Sequence, residues 1–517
     1  MGSLLLSVAG VLAVIALIIL DKVLTLPYDR KEPPLVPPKL PLIGHIIGML
    51  HSGTDYYSEL AKRCKQPIFT LNLPRAKMYV VTLPSLVAAC DRQARVISFA
   101  PYVVDFARRI LVTSQHGIDL LSKDLLEENG PVGLRPETLK AISNSLMPGE
   151  SLEELTRGIL EHVSSFLESP SNIGEGKDVH LFHWTRQFLS LASTDVMYGP
   201  KNPMRNSKVM DAFWATDKDF ALLGLMVLPN LIAPVGSRGR KLFFAAFREY
   251  YTGSSLNEAS NFVKARYTVN RKHGVTLEDI AQFDLGVCTG LLVNSVPAIC
   301  WTFCHVYSNR TLLGDLRRGI EAVVFRKGRP LKSSTTTVNI PQVTRDFPLL
   351  GSLVKEVLRI QSNNASARFL LQDTRIQDGD GLTYLLKKDA FLVVPSAPIH
   401  NNQDIWGPTA HSFDPIRFLR QEGHKGSGAT YRTFGGGNAL CPGRHLALHE
   451  ITGTLIMMVL KYDLDPLEGI WEIPRTRHHF STSILTPVKD ILVRIKPRKD
   501  VSHISWKFVW EPERVER

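Results

Sequence analysis

The stretch Arg432-Thr-Phe-Gly-Gly-Gly-Asn-Ala-Leu-Cys-Pro-Gly-Arg444 decides how the rest of the chain is read. Gly435, Gly436 and Gly437 lack a Cβ, so a backbone there can pass close to a flat ligand. Cys441 follows, and beyond Pro442 and Gly443 the apolar residues Leu446, Ala447, Ile451, Leu455 and Val459 recur at helical spacing. A cysteine at the start of a helix sits among free amide N–H groups and the positive end of the dipole, which favours a thiolate. The same residues also suit a Gly-rich loop with a structural cysteine, since a lone cysteine often behaves as a small hydrophobe.

Phe434-x-x-Gly437-x-x-x-Cys441-x-Gly443 resembles the haem-binding loop of the cytochrome P450 family. The resemblance implies a mainly α fold with a small β region. It also implies a haem b whose iron is bound by the Cys441 thiolate, with Phe434, Gly437 and Gly443 in the loop around it.

Upstream, Glu356 and Arg359 share one face of a helix pattern running from Phe347 to Ile360. Alone they read as a solvated ion pair. Phe413-Asp-Pro-Ile-Arg417-Phe418 follows, and Glu356-x-x-Arg359 with Arg417 matches the family's buried Glu-Arg-Arg cluster. Arg368 matches the family arginine that grips a haem propionate, a task suited to a guanidinium with two parallel donors. Two other propionate contacts usual in the family are missing. No Trp-x-x-x-Arg stands near residue 135, where the chain reads Arg135-Pro-Glu-Thr-Leu-Lys140, and Ala439 occupies the place of an Arg or His.

Phe283 to Tyr307 is a long apolar helix pattern broken at Asn294-Ser295-Val296-Pro297. Proline inside a helix removes one hydrogen bond and kinks the chain. Most of the family carries an acidic residue and a threonine here; this chain has Val293 and Asn294. Asn-Ser/Thr-x-Pro is similar to the branch that includes cholesterol 7-alpha-hydroxylase and prostacyclin synthase. Asn294 is expected to position dioxygen or water, and Ser295, the nearest hydroxyl, to have a lesser role.

Length alone allows two to four domains, but no linker, repeat or low-complexity tract divides the body of the 517 residues. The formal net charge of +12 points to anionic lipid or an acidic partner. Without a compact basic run interleaved with aromatics, nucleic acid is not expected. The six cysteines have no CxxC spacing and read as reduced and intracellular; Cys300 and Cys304 read as core filler.

Leu4 to Leu20 is an uncharged apolar run, and Lys22, Arg30 and Lys31 lie after it. It reads as a single-pass anchor within residues 1–26, with the body facing the cytoplasm at the endoplasmic reticulum membrane. Residues 27–46 carry Pro33-Pro-Leu-Val-Pro-Pro-Lys-Leu-Pro and read as a stiff hinge. Residues 47–517 form the catalytic domain. Within it, 67–73 and 77–83 read as a hairpin, 99–106 as an apolar loop, and 152–167 and 213–228 as helices. Phe220 to Ala233, followed by Arg238, Arg240 and Lys241, is expected to dip into a lipid surface. Lys425, Arg432, Arg444 and His445 are expected to form a basic face for a reductase.

The resemblance implies a monooxygenase that inserts one oxygen atom from O2 into an apolar small molecule, a terpenoid, steroid or polyketide. Its electrons come from NADPH through a flavoprotein reductase, and the overall wording is similar to microsomal members of fungal secondary metabolism. Two alternatives remain: a haem-thiolate isomerase or dehydratase acting on a peroxide without a reductase, and a haem-binding membrane protein without turnover.

Overall fold

The computed structural model describes residues 23–40, 43–128, 130–169, 171–326, 335–379, 381–419, 428–478 and 481–512. Most of the anchor expected at 1–26 lies outside the described residues, as does Lys425.

The chain is mostly helical with some strands. The hairpin forms as β1 (Ile68–Leu73) and β2 (Ala76–Val81), in antiparallel register from Ile68↔Val81 to Leu73↔Ala76. Arg75 takes a left-handed φ of 57° in the tight turn between them. β3 (Ile97–Ser98), β4 (Ala365–Leu370) and β5 (Phe391–Pro395) complete one sheet in the order β1-β2-β5-β4-β3. Here β5 runs parallel to β2 and antiparallel to β4, with Arg368 opposite Leu392. This sheet carries Arg368 toward the cysteine loop.

The helical body is built on α1 (Leu277–Leu292) and α2 (Ser295–Tyr307), the two halves of the predicted long apolar helix. They part at Val293 and Asn294. Pro297 falls in the first turn of α2, where its missing N–H removes no helical hydrogen bond. All of α2 is buried, and Trp301 Nε1 donates to the Leu485 carbonyl at 2.6 Å. By length and composition Leu277–Tyr307 could cross a membrane, yet most of it lies inside the protein, as a core helix does. Against it pack α3 (Leu181–Tyr198), α4 (Leu349–Gln361) and α5 (Arg444–Lys461), the helix that follows Cys441. Cys300 and Cys304 are buried in α2, and no group of three or more metal-ligating side chains occurs among the described residues.

Four readings change. The segment expected as a loop at 99–106 is mostly the helix Ala100–Phe106, with Pro101 in its first turn where proline is tolerated. The helix expected over 213–228 stops at Lys218, because Asp219 Oδ2 turns to accept from Gly236 N–H at 2.8 Å. Arg240 does not face lipid: it is buried and donates to the Ile110 carbonyl at 3.1 Å. The proline-rich stretch is fastened to the sheet rather than standing clear as a spacer. Val36 N–H meets the Thr70 carbonyl at 2.9 Å, and buried Glu32 holds Lys77 at 2.6 Å.

Candidate active site

The cysteine loop turns on Gly435 and Gly437, whose φ values of 75° and 60° lie in the left-handed region. Gly436 is extended, so space demands glycine there: a Cβ would collide with Arg432 Nη1. A Cβ on Gly437 would stand 2.7 Å from Asp91 Oδ1. Two of the three glycines therefore make room for protein side chains as well as for a ligand. The loop closes when Cys441 N–H donates to the Phe434 carbonyl at 2.9 Å.

Cys441 is half-buried just before α5. Burial raises its thiol pKa, while the Gly443 amide, donating to sulfur, and the Arg444 charge lower it. A Cβ on Gly443 would meet Cys441 Sγ at 3.8 Å and Leu146 at 4.0 Å, so Gly443 lies beside the sulfur.

On the half-buried α1, Gly290 is exposed, and outside its chain neighbours and the helix's own backbone no heavy atom lies within 4 Å of where its Cβ would be. Asn294 Oδ1 accepts from Ser483 N–H at 2.7 Å and Ile484 N–H at 3.2 Å, tying the helix break to the segment opposite. Ser295 does not share this bond; it lies by the Glu450 carboxyl on α5 and acts to lower that group's pKa. Ser193 Oγ reaches the same carboxyl at 3.1 Å. Burial of Glu450 pushes its pKa up to about 7. Sequence reading missed Glu450; its signal was a lone acid inside the apolar run of α5.

Glu356, Arg359 and Arg417 come together, all buried. Arg359 holds both Glu356 oxygens at 2.8 Å through Nε and Nη2, and Arg417 Nε reaches Oε1 at 2.9 Å. The remaining nitrogens donate to main-chain carbonyls, among them His400 at 2.5 Å, Ala410 at 2.8 Å and Trp406 at 2.7 Å. His400 joins this cluster to the cysteine loop: its Nδ1 lies 3.0 Å from the Arg359 carbonyl, and its Nε2 accepts from Arg432 N–H at 2.8 Å. That pattern needs a neutral ring, and burial with the Arg359 charge lowers the His400 pKa to about 3.

Arg368 donates to the Gly436 carbonyl at 3.0 Å and to Ser366 Oγ at 2.8 Å. Arg432, expected on a basic surface, is fully buried.

A half-buried thiol just before a helix and a glycine-turned loop in front of it are the features that a protein with a cysteine-ligated cofactor would present. The cytochrome P450 family model matches residues 239–494. Cytochrome P450 monooxygenase nodJ of Hypoxylon pulicicidum is 30% identical over 93% of this chain and 92% of its own length. A cytochrome P450 monooxygenase of Gibberella zeae is 28% identical over 97% and 96%. Cytochrome P450 7A1 of Rattus norvegicus is 22% identical over 70% and 76%. The chain belongs to the cytochrome P450 family, and it is an enzyme of the monooxygenase, oxidoreductase type.

Membership implies a haem with a thiolate ligand. The residues present fit that group: a half-buried Cys441 sulfur beside Gly443, and cationic Arg368 donating to the loop.

Proposed function

We propose that this protein is a haem-thiolate monooxygenase of the endoplasmic reticulum membrane that oxygenates an apolar small molecule in secondary metabolism. The observation that carries the reading is Cys441, presented half-buried between the Phe434–Gly443 loop and α5 with the Gly443 amide on its sulfur. Cys441 would bind the haem iron, with Phe434, Gly437 and Gly443 shaping the loop, and Arg368 would hold a propionate. When bound, haem supplies activation of O2, with electrons from NADPH delivered through a flavoprotein reductase.

The chain's own groups do the rest. Asn294 would orient water or dioxygen above the site while its Oδ1 anchors 483–484. The Glu450 carboxyl, its pKa raised by burial to about 7, could hold a proton near neutral pH beside Ser295. Glu356, Arg359 and Arg417 fix the segment that carries the loop. The domains would be an anchor at 1–26, a hinge at 27–46 that packs on the body, and a catalytic domain at 47–517. Exposed Leu225, Met226, Val227, Leu228 and Leu231 support a second contact with lipid.

The decisive experiment compares wild type and Cys441→Ser as reduced carbon monoxide complexes. The thiolate-type band is expected in the first and absent in the second; an unchanged band in the variant rejects Cys441 as ligand. Product formation from a panel of terpenoids, steroids and polyketides, dependent on reductase and NADPH, tests the reaction. Turnover of a peroxide with no reductase would favour the isomerase reading.

A further inference from the structure

The helix that follows Cys441 is gripped at its far end and again along its length by residues 498–511. α5 ends at Lys461, and the Tyr462 amide meets the Met458 carbonyl. That leaves the carbonyls of Val459, Leu460 and Lys461, acceptors that a helix end orphans. Buried Arg498 takes all three. Its Nη1 donates to Val459 at 3.2 Å and to Leu460 at 3.1 Å, and its main-chain N–H donates to Lys461 at 2.8 Å. A guanidinium also suits the negative end of the helix dipole. Glu321 and Asp500 fix it there, at 3.1 Å and 2.6 Å from Nη2.

From Arg498 the chain turns back along α5. The strand Ser505–Val509 pairs in parallel with the strand Thr335–Asn339, from Ser505↔Thr335 to Val509↔Asn339. Asn339 also exchanges two hydrogen bonds with the Glu511 main chain, Nδ2 to the carbonyl at 2.8 Å and Oδ1 from the N–H at 3.3 Å. Between these ties Trp510 is buried, its ring 4.3 Å from that of His449 on α5. His449 Nδ1 lies 3.2 Å from Thr156 Oγ1 on the helix Glu150–Glu168, which packs against α5. The indole N–H of Trp510 has no acceptor among the described residues, so the contact is one of ring surface. By the rise of a helix, the grips at 461 and 449 stand about 18 Å apart, and 449 is about two turns beyond Cys441. All of this lies past residue 494, where the family match ends.

We infer that residues 498–511 are a strap that sets the position of the cysteine helix, with Arg498 and Trp510 as positioning residues for Cys441. Both act through α5. The inference rests on Cys441 being the haem ligand. A strap that only adds stability would act alike wherever it is weakened, and Trp506 supplies that control. It is buried on the same strap, but its ring partners are Phe325 and Phe508.

The test compares wild type, Trp510→Ala, Trp510→Phe and Trp506→Ala as full-length holoenzymes. Two readings are taken: hydrogen exchange of the amides in 444–450, and the rate at which pressure abolishes the thiolate-type carbon monoxide band. Both alanine variants should lower the denaturant midpoint, since each removes a buried indole. Only Trp510→Ala should exchange 444–450 roughly tenfold faster and lose the band faster by a similar factor, as loss of an aromatic pair implies. Trp510→Phe should stay within about twofold of wild type, because a ring still covers His449. Equal effects of Trp510→Ala and Trp506→Ala on both readings would overturn the inference and leave the strap as added core. So would wild-type exchange at 444–450 in Trp510→Ala. Should Trp510→Ala fail to fold, Trp510→Leu, which keeps apolar bulk without a ring, is set against Trp506→Leu by the same criteria. A wild type without the thiolate-type band would instead reject the haem-ligand reading, and the exchange rates would still decide whether the strap positions α5.

Discussion

Arg359 and Arg432 are both fully buried arginines, linked through the two ring nitrogens of His400, and they are treated in opposite ways. Around Arg359 every nitrogen donates, and the Glu356 carboxylate accepts from two guanidiniums and from Asp414 N–H at 3.1 Å. Around Arg432 one nitrogen is bonded and two are not, among the described residues. A complete buried network is a structural lock whose worth shows when a member is removed. An incomplete one is a cost carried in the folded chain, about 1–3 kcal/mol for each unmet donor. The contrast separates a buried network that the fold completes from one that it leaves open.

The hardest way to break the contrast is at its complete end. Glu356→Ala leaves two buried guanidiniums without their carboxylate, and the expected cost is about 3–5 kcal/mol. That is a large share of the stability of a typical domain. Soluble, haem-loaded protein should fall steeply, and denaturant midpoints should drop at every pH where the cluster is ionised. A variant with a near-normal midpoint would show that the cluster is not a lock.

The link between the two regions is next in size and depends on pH. His400 has a lowered pKa, about 3 in the folded protein against 6.5 unfolded. Between those values the unfolded chain binds a proton that the native chain does not, so stability rises with pH across the window. It is fully present above 6.5 and is lost as pH falls. Between pH 6.5 and 5 the loss should be about 2 kcal/mol. Glu450 slopes the other way, because its raised pKa of about 7 leaves the native chain holding the proton longer. The difference between wild type and His400→Gln, measured by denaturation at each pH, isolates the histidine. Parallel curves would show that His400 tolerates a charge and does not couple the regions.

What the sequence discloses follows from how local each feature is. Cys441 and α5 are legible because loop and helix are contiguous. Glu356 and Arg359 are legible because a helix brings residues three apart onto one face, and the family resemblance adds Arg417. The Val293–Asn294 break is carried by Pro297 within a few residues. Arg432 is misread as surface because its partner, Asp91, lies 341 positions earlier, and no periodicity reports such a contact. Glu32 is hidden for the same reason: a charge in a proline-rich stretch reads as solvated, while Lys77 on β2 buries it. The 213–228 helix fails at Asp219, where a side chain takes a long-range hydrogen bond instead of continuing the pattern.

The smallest expected effect on stability is also the one that separates two roles for a single residue. Asn294 Oδ1 takes the amides of Ser483 and Ile484, so Asn294→Ala removes an acceptor and frees two main-chain donors that are only partly buried. The cost to folding should be on the order of 1 kcal/mol, since the amide of half-buried Ser483, which makes the shorter of the two bonds, can turn to water. If anchoring 483–484 is all that Asn294 does, the variant should lose substrate affinity and keep normal yield of product per NADPH. If its amide also positions water or dioxygen, the variant should keep haem and substrate binding while NADPH electrons leak to hydrogen peroxide. Supplied hydrogen peroxide, which brings its own protons and electrons, should then restore part of the product. Asn294→Asp sharpens the choice, because a carboxylate still accepts from both amides and so repairs the anchor, but it cannot donate as an amide does. Restored affinity with persistent peroxide leak in that variant assigns Asn294 to chemistry as well as to structure. Restored affinity with normal coupling confines it to the helix break.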